Sequence, residues 1–214
     1  DLVTGVQTCA LPIFTVEQIG MVSPKFILAS RSPRRRQILE MAGLEFEVRQ
    51  SDVDETSKIE DPVELATHLA ESKAKAVSAS GRDQIVLAAD TVVAHDGMLL
   101  GKPVSEAEAT EMLESLSGQT HLVVTAVSVI NSSGNQYTDA KSTNVTFRKL
   151  SKIDVENYVR TGLPMDKAGG YGIQDSELDP VEKYESCYLN VVGLPLCTTV
   201  DLLRRAGLTI EQEI

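Results

Sequence analysis

Four short stretches of this chain place reactive or charged side chains beside what read as core elements. In "ASRSPRRRQILEMAG", residues 29–43, Ser30, Ser32, Arg34 and Arg35 follow directly on an apolar strand and open a helix. A strand-to-helix turn presents free backbone N–H groups, and guanidinium forks match phosphate oxygens two at a time, so an anion is the expected ligand. Ser32 reads as the N-cap, Pro33 as the first helical residue and Gly43 as the stop. The positive end of the helix dipole lies in the same turn, where each cation costs roughly 0.3 to 1 kcal/mol unless something negative sits in front of it. Successive helical residues point about 100° apart, so the three arginines cannot all face one ligand. Arg34 and Arg35 are assigned to it and Arg36 to solvent. The bland alternative is a solvated basic face.

The second stretch is "AADTVV", in which Asp90 ends a run of five apolar residues. A carboxylate there is either a hydrogen-bonded structural group or a base at the edge of a sheet. Lys73 in "AESKAKAV" and Lys102 in "LLGKP" form the third feature, each attached to a core element, although most lysines are simply solvated. The fourth is "DKAGGYGIQ", residues 166–174, whose three glycines suit a tight loop closing over a ligand or a plain connection. It fits neither the G-x-G-x-x-G nor the P-loop pattern, so no Rossmann or Walker site is expected.

The elements that must hold these residues alternate between strand and helix. "KFILAS" reads as a short strand, "SPRRRQILEMAG" as a helix, and "FEVRQSDVDE" as a strand running into an acidic loop. "DPVELATHLAESKAKAVSASG" is a long helix opened by Asp61 and Pro62, with Val63, Leu65, Ala66, Leu69, Ala70, Ala74 and Val77 along its apolar stripe. "QIVLAADTVVAHDGMLLGKP" folds over at "HDG", and "SEAEATEMLESLSG" is a helix with a capping box from Ser105 to Glu108. A long hairpin turns at Ser133, Gly134 and Asn135, a capped helix follows in "SKIDVENYVRTG", and "LPLCTTVDLLRRAG" is a final helix. The pattern is that of one α/β unit with a mixed sheet.

The gross numbers exclude several functions. At 214 residues, with 42% hydrophobic and 24% charged residues, the chain has the make-up of a soluble globular protein and no apolar run long enough to span a bilayer, so no membrane partner is expected. A net charge of -11 and an aromatic content of 4% argue against nucleic acid as a partner, which needs a broad basic face or stacking platforms. Any phosphate site must be a local basic pocket on an acidic body. Cys9, Cys187 and Cys197 form no C-x-x-C pair and are odd in number, which points to a reducing, cytoplasmic setting. Residues 1–20 stand apart, because "LVTGVQTCALPI" resembles the in-frame translation of a sequencing-library adapter. They are expected to be non-native, with Met21 as the start; a secretory signal would need a basic n-region and an apolar run that Pro12 does not interrupt.

Taken together, the motifs resemble those of the Maf family of nucleoside triphosphate pyrophosphatases. The likeness runs from Phe26 to Gly207 through "LASRSPRRR", "DVDE", "ESKA", "AADTVV", "GKP", "LSGQTH", "TAV", "DKAGGYGIQ" and "NVVGLPL", in the family's order. It implies a single domain over residues 21–214 with an α/β fold like that of the inosine triphosphate pyrophosphatases (Maf/Ham1): a mixed sheet with flanking helices, and two lobes around a cleft. It also implies cleavage of a nucleoside triphosphate between its α and β phosphates with a divalent metal, Mg or Mn, and a tendency to form homodimers. Carried over residue by residue, the family's phosphate-binding positions fall on Ser30, Arg34 and Arg35, and its basic residues on Lys73 and Lys102. Its metal contacts fall on Glu55 and Asp90, and its general base on Asp90. This chain departs from the family in reading Gly162-Leu163-Pro164 where Gly-Glu-Pro is common, and in having Gly170 where the loop usually has Ala.

Within the family, Arg after Ser-Pro, Thr after the catalytic Asp and Gln at the end of the glycine loop mark the dTTP/UTP type, and members preferring 7-methyl-GTP differ at all three. Here these positions are Arg34, Thr91 and Gln174. Amide and hydroxyl groups offer donors and acceptors that suit the O4, N3–H and O2 edge of uracil or thymine, whereas a cationic methylated guanine favours a carboxylate or an aromatic face. A rival reading is a regulatory nucleotide-binding protein linked to cell division. It would need the cations but no base, so Asp90 favours the enzyme.

Overall fold

A computed structural model of the chain describes residues 26–79 and 84–210, so the adapter-like segment lies outside the described residues. The strands are β1 (Phe26–Leu28), β2 (Phe46–Val48), β3 (Val86–His95), β4 (Met98–Leu100), β5 (Thr120–Ile130), β6 (Gln136–Phe147) and β7 (Val181–Glu185). The helices are α1 (Pro33–Met41), α2 (Pro62–Ser78), α3 (Glu106–Leu116), α4 (Lys152–Arg160), α5 (Tyr188–Val192) and α6 (Leu196–Arg205). Among the described residues no helix is long and apolar enough to cross a membrane.

Side chains close the helix starts as the residue types require. Ser32 Oγ accepts from Arg35 N at the head of α1, and Asp61 Oδ1 accepts from Val63 N and Glu64 N at the head of α2. Ser151 and Asp154 form a reciprocal capping box on α4. The box expected on α3 is only half made. Ser105 Oγ accepts from Glu108 N, but Glu108 Oε2 takes the N–H of Val104 at 2.7 Å, one residue before the cap.

The seven strands form one mixed sheet in the order β2-β1-β3-β5-β6-β7, with β4 also pairing to β3. β1 runs parallel to β2 and β3, and the other pairs are antiparallel. Both β1 and β4 lie along the edge of β3 away from β5. Pairing with β1 stops at Leu28↔Leu87 and pairing with β4 begins at Val93↔Leu100. Residues 88–92 of β3 therefore face a notch in the sheet, while their other edge is fully paired to β5.

Side chains alternate across β3 and β5, and that alternation explains the two lobes expected around a cleft. On one face Leu87, Ala89, Val127 and Val129 pack with α1, α5 and α6, whereas Val93 and Val123 pack with α3 and α4. Between these two cores the same face carries Thr91 and Thr125. The opposite face is covered by α2, whose Ala66, Ala70, Ala74 and Val77 lie against Val86, Ala88, Val92, Val124 and Ala126. The lobes are thus divisions of side-chain packing on shared strands, with the notch and the threonines at the divide.

Candidate active site

A cleft of about 510 Å³ opens at the notch. Its lining includes six cationic side chains and three carboxylates, an excess of positive charge on a chain whose net charge is -11. An anionic ligand is what such a surface would draw.

The notch lets β3 offer both of its faces to one cleft. Asp90 points to the α2 side, where Lys73 replaces an apolar residue on the buried stripe that includes Leu69, Ala70 and Val77. Lys73 Nζ lies 2.5 Å from Asp90 Oδ1 and 2.7 Å from Glu55 Oε1, on the loop after β2. One ammonium thus draws two carboxylates to a common point. Burial pushes the Asp90 carboxyl above its ordinary range, against the pull of Lys73 and Arg35. Burial acts the same way on Glu55 but is outweighed by the hydrogen bond and charge of Lys73, with Lys102 and Arg35 adding to it, so this carboxyl ends below its ordinary range.

On the other face, Arg35 is held in three directions. Its Nε donates to Gly193 O at 2.8 Å, one terminal nitrogen to Ser30 Oγ at 3.2 Å and the other to Thr91 Oγ1 at 3.0 Å. Burial lowers its pKa, with Asp90 acting in opposition. Ser30 Oγ accepts from both Arg35 and Ser32 N, which leaves its own proton for a ligand. Arg34 turns toward the glycine loop and donates to Asp166 Oδ2 at 2.9 Å. Arg36 pairs with Glu40 on the exposed side of α1, the solvated role expected of it.

Thr91 differs from the expected base contact. Thr125 Oγ1 donates its single proton to Asn190 O at 2.8 Å, so in the 2.9 Å contact between the two threonine hydroxyls Thr91 must be the donor. With Arg35 donating to Thr91 in turn, the Thr91 proton is committed inside the protein. Here it gives Arg35 an acceptor and offers no free donor to a base.

Thr125 and Asn190 open the motifs "TAV" and "NVVGLPL", but no role for either follows from the sequence. Asn190 is fully buried; its Oδ1 accepts from Thr125 N, and its amide donates to Val123 O and Thr143 Oγ1. Beyond those motifs the local signal is a lone amide in the apolar run "YLNVVG" and a threonine in the middle of β5.

Lys102 and Gln174 are exposed residues of the cleft lining. The glycine loop is anchored to the strand side by Gly169, which has φ of +70° and whose N–H donates to Gly101 O at 3.0 Å. Leu163, where the family commonly has Glu, contributes its backbone: its carbonyl accepts from Lys167 Nζ. Gly170, the second departure, has φ of +70°, a conformation that glycine adopts without the penalty an alanine would carry.

The expected divalent metal can be tested against the donor set. Among the described residues no group of three or more His, Cys, Asp or Glu could hold an ion by itself. Glu55 and Asp90 do converge, and two carboxylates completed by phosphate oxygens are a usual environment for Mg²⁺. The residues fit an ion that arrives with a polyphosphate.

Comparison with known proteins identifies a family and several relatives. Residues 25–206 match the family model described as Maf-like protein. A dTTP/UTP pyrophosphatase of Deinococcus radiodurans is 47% identical over 187 residues, spanning 87% of this chain and 95% of that protein. One of Dehalococcoides mccartyi is 43% identical over 191 residues, spanning 88% of this chain and 85% of that protein. Among solved structures, the Staphylococcus aureus Ham1 protein is similar at a TM-score of 0.47 and 14% identity, covering 85% of this chain and 96% of that one. The matched span takes in every cleft residue named above, and the chain belongs to the Maf family.

Proposed function

We propose that this protein hydrolyses dTTP and UTP, with modified pyrimidine nucleotides as further candidates, to the monophosphate and pyrophosphate. The observation that carries the reading is the convergence of Asp90 and Glu55 on Lys73 beside a cationic cleft, in a chain so similar to proteins named dTTP/UTP pyrophosphatases.

The polyphosphate would lie along Ser30, Arg34, Arg35 and Lys102, with the Ser30 hydroxyl donating and the guanidiniums neutralising charge that builds on the departing pyrophosphate. Asp90 would orient a water for in-line attack on the α-phosphorus and take its proton; a carboxyl pushed up by burial is a better acceptor than a solvated one. Lys73 keeps Asp90 and Glu55 in register. Glu55 and Asp90 would hold Mg²⁺ or Mn²⁺, which when bound supplies Lewis-acid neutralisation of phosphate charge. Gln174, at the cleft mouth, would read the O4 and N3–H edge of the base. Thr91 would serve the phosphate end by fixing Arg35. A cytoplasmic homodimer completes the reading, the reducing setting being in line with an odd number of cysteines that form no C-x-x-C pair.

The test is pyrophosphate release from a panel of nucleotides with Mg²⁺, by the unaltered protein and by Asp90→Asn. dTTP and UTP should lead by at least roughly tenfold in kcat/KM, and Asp90→Asn should lose about 10²- to 10⁴-fold in kcat while still binding nucleotide. Faster hydrolysis of 7-methyl-GTP would overturn the pyrimidine assignment, and an active Asp90→Asn would overturn the base.

A further inference from the structure

The glycine loop carries a buried ionic network that the reaction scheme leaves unused. Lys167 is only 6% exposed, and its ammonium donates to Leu163 O, to Asp166 Oδ1 at 3.0 Å and toward Asp175 Oδ2 at 3.3 Å. Asp175 Oδ2 also accepts from the hydroxyl of Tyr158, on α4, at 2.6 Å. That same hydroxyl accepts from Gly172 N at 3.3 Å. Burial, reinforced by the neighbouring Asp175 carboxylate, raises the Tyr158 phenol far above its ordinary range, so it stays a donor.

These contacts enclose one short turn. Asp175 N donates to Gly172 O at 3.1 Å, which makes Gly172 and Asp175 the ends of a four-residue turn with Ile173 and Gln174 at its tip. Tyr158 grips both ends, one through the Gly172 N–H and the other through the Asp175 carboxylate. The fit is close: a Cβ on Gly172 would lie 2.7 Å from Asp175 Oδ2 and 2.8 Å from its Cγ. Ile173 and Gln174 line the cleft, whereas Tyr158 and Asp175 do not.

A carboxamide carries its donor and its acceptor on two interchangeable arms. A glutamine on a loose loop can present them to uracil in one orientation and to cytosine in the other, since cytosine swaps acceptor and donor at ring positions 4 and 3. Exchanging the two arms is a rotation about the last side-chain bond, so telling the bases apart requires a neighbour that holds the amide one way round and a turn beneath the glutamine fixed enough to keep it against that neighbour. We propose that Tyr158, Asp175 and Lys167 form a positioning clasp that holds the 172–175 turn, and through Gln174 sets the preference for thymine and uracil over cytosine. The proposal rests on Gln174 being the base contact.

The experiment is a double-mutant cycle in the full chain, with kcat/KM measured for dTTP and dCTP and thermal unfolding recorded beside it. Tyr158→Phe removes one hydroxyl outside the cleft, and Asp175→Asn is the second variant should the first fail to fold. Gln174→Ala should lower the dTTP-to-dCTP ratio by about tenfold or more, Tyr158→Phe should lower it several-fold, and the double variant should fall no further than Gln174→Ala alone. A Tyr158→Phe enzyme that keeps the full ratio while Gln174→Ala loses it would overturn the clasp and leave the base contact standing. Independent, multiplying losses would show that Tyr158 does not act through Gln174. An unchanged ratio in Gln174→Ala would overturn the base contact, and with it the clasp.

Discussion

Replacing Lys73 by Met tests the centre of the site. The side chains of Lys73 and Asp90 are 11% and 10% exposed and their charged atoms are 2.5 Å apart, so the methionine leaves a buried carboxylate without its partner. With an effective dielectric of about 20, opposite unit charges at this separation attract by about 6 to 7 kcal/mol, from which the desolvation of both groups must be subtracted. Breaking a buried pair from one side costs about 3 to 5 kcal/mol, because the remaining charge is left uncompensated. The contact to Glu55 adds little, since that side chain is 53% exposed and largely solvated. Lys73→Met should therefore lose about 3 to 5 kcal/mol of unfolding free energy in urea at pH 7.5, and Lys73→Met/Asp90→Asn should recover most of it.

The pH dependence has a definite sign. Asp90 already has its carboxyl raised by burial, and removing Lys73 takes away the principal opposing influence, so the folded-state value in the variant lies still further above the unfolded one. A carboxyl raised in the folded state gives stability that is present at low pH and lost as pH rises through the folded value. The gap between Lys73→Met and the unaltered protein should accordingly narrow from pH 8 to pH 5. A loss of under about 1 kcal/mol that does not vary with pH would refute the buried pair.

Three further outcomes follow from the same geometry. His121 is buried, its Nδ1 has no hydrogen-bond partner among the described residues, and burial together with His95 pushes its pKa down to about 4. The unfolded chain takes up that proton near pH 6.5, so stability is full above that value and falls toward pH 4; urea unfolding at pH 7 and pH 4.5 should show an acid loss about 2 to 3 kcal/mol smaller in His121→Gln. Thr125→Val removes the acceptor for Thr91 and the donor to Asn190 O, and should cost about 1 to 3 kcal/mol. It should raise KM for every nucleotide alike while leaving the dTTP-to-dCTP ratio intact; a changed ratio would return Thr91 to the base. Gly169→Ala combines φ of +70° with a Cβ 3.1 Å from Val93 Cγ1, and a melting temperature within a degree of the parent would contradict an expected loss of about 1 to 3 kcal/mol.

What the sequence disclosed follows from the length scale of each signal. α2 was readable because seventeen residues give several turns of period and Asp61-Pro62 marks its start; α1 needed only Ser32, Pro33 and Gly43. β7 and α5 were not. β7 reads "VEKYE" with almost every side chain exposed, so it has no alternation to detect, and α5 has five residues, little more than one turn. The site divides in the same way. Arg35, Asp90 and Lys73 stand out because each is a charge attached to an apolar element, a local contrast visible in one dimension. Thr125 and Asn190 are ordinary polar residues whose meaning lies in being 65 positions apart and hydrogen-bonded. The notch in β3 is further from reach, since it depends on where two other strands stop. That notch also explains how Asp90 and Thr91, neighbours in sequence that a strand must point to opposite faces, come to line a single cleft: where the sheet has no next strand, both faces open onto the same space.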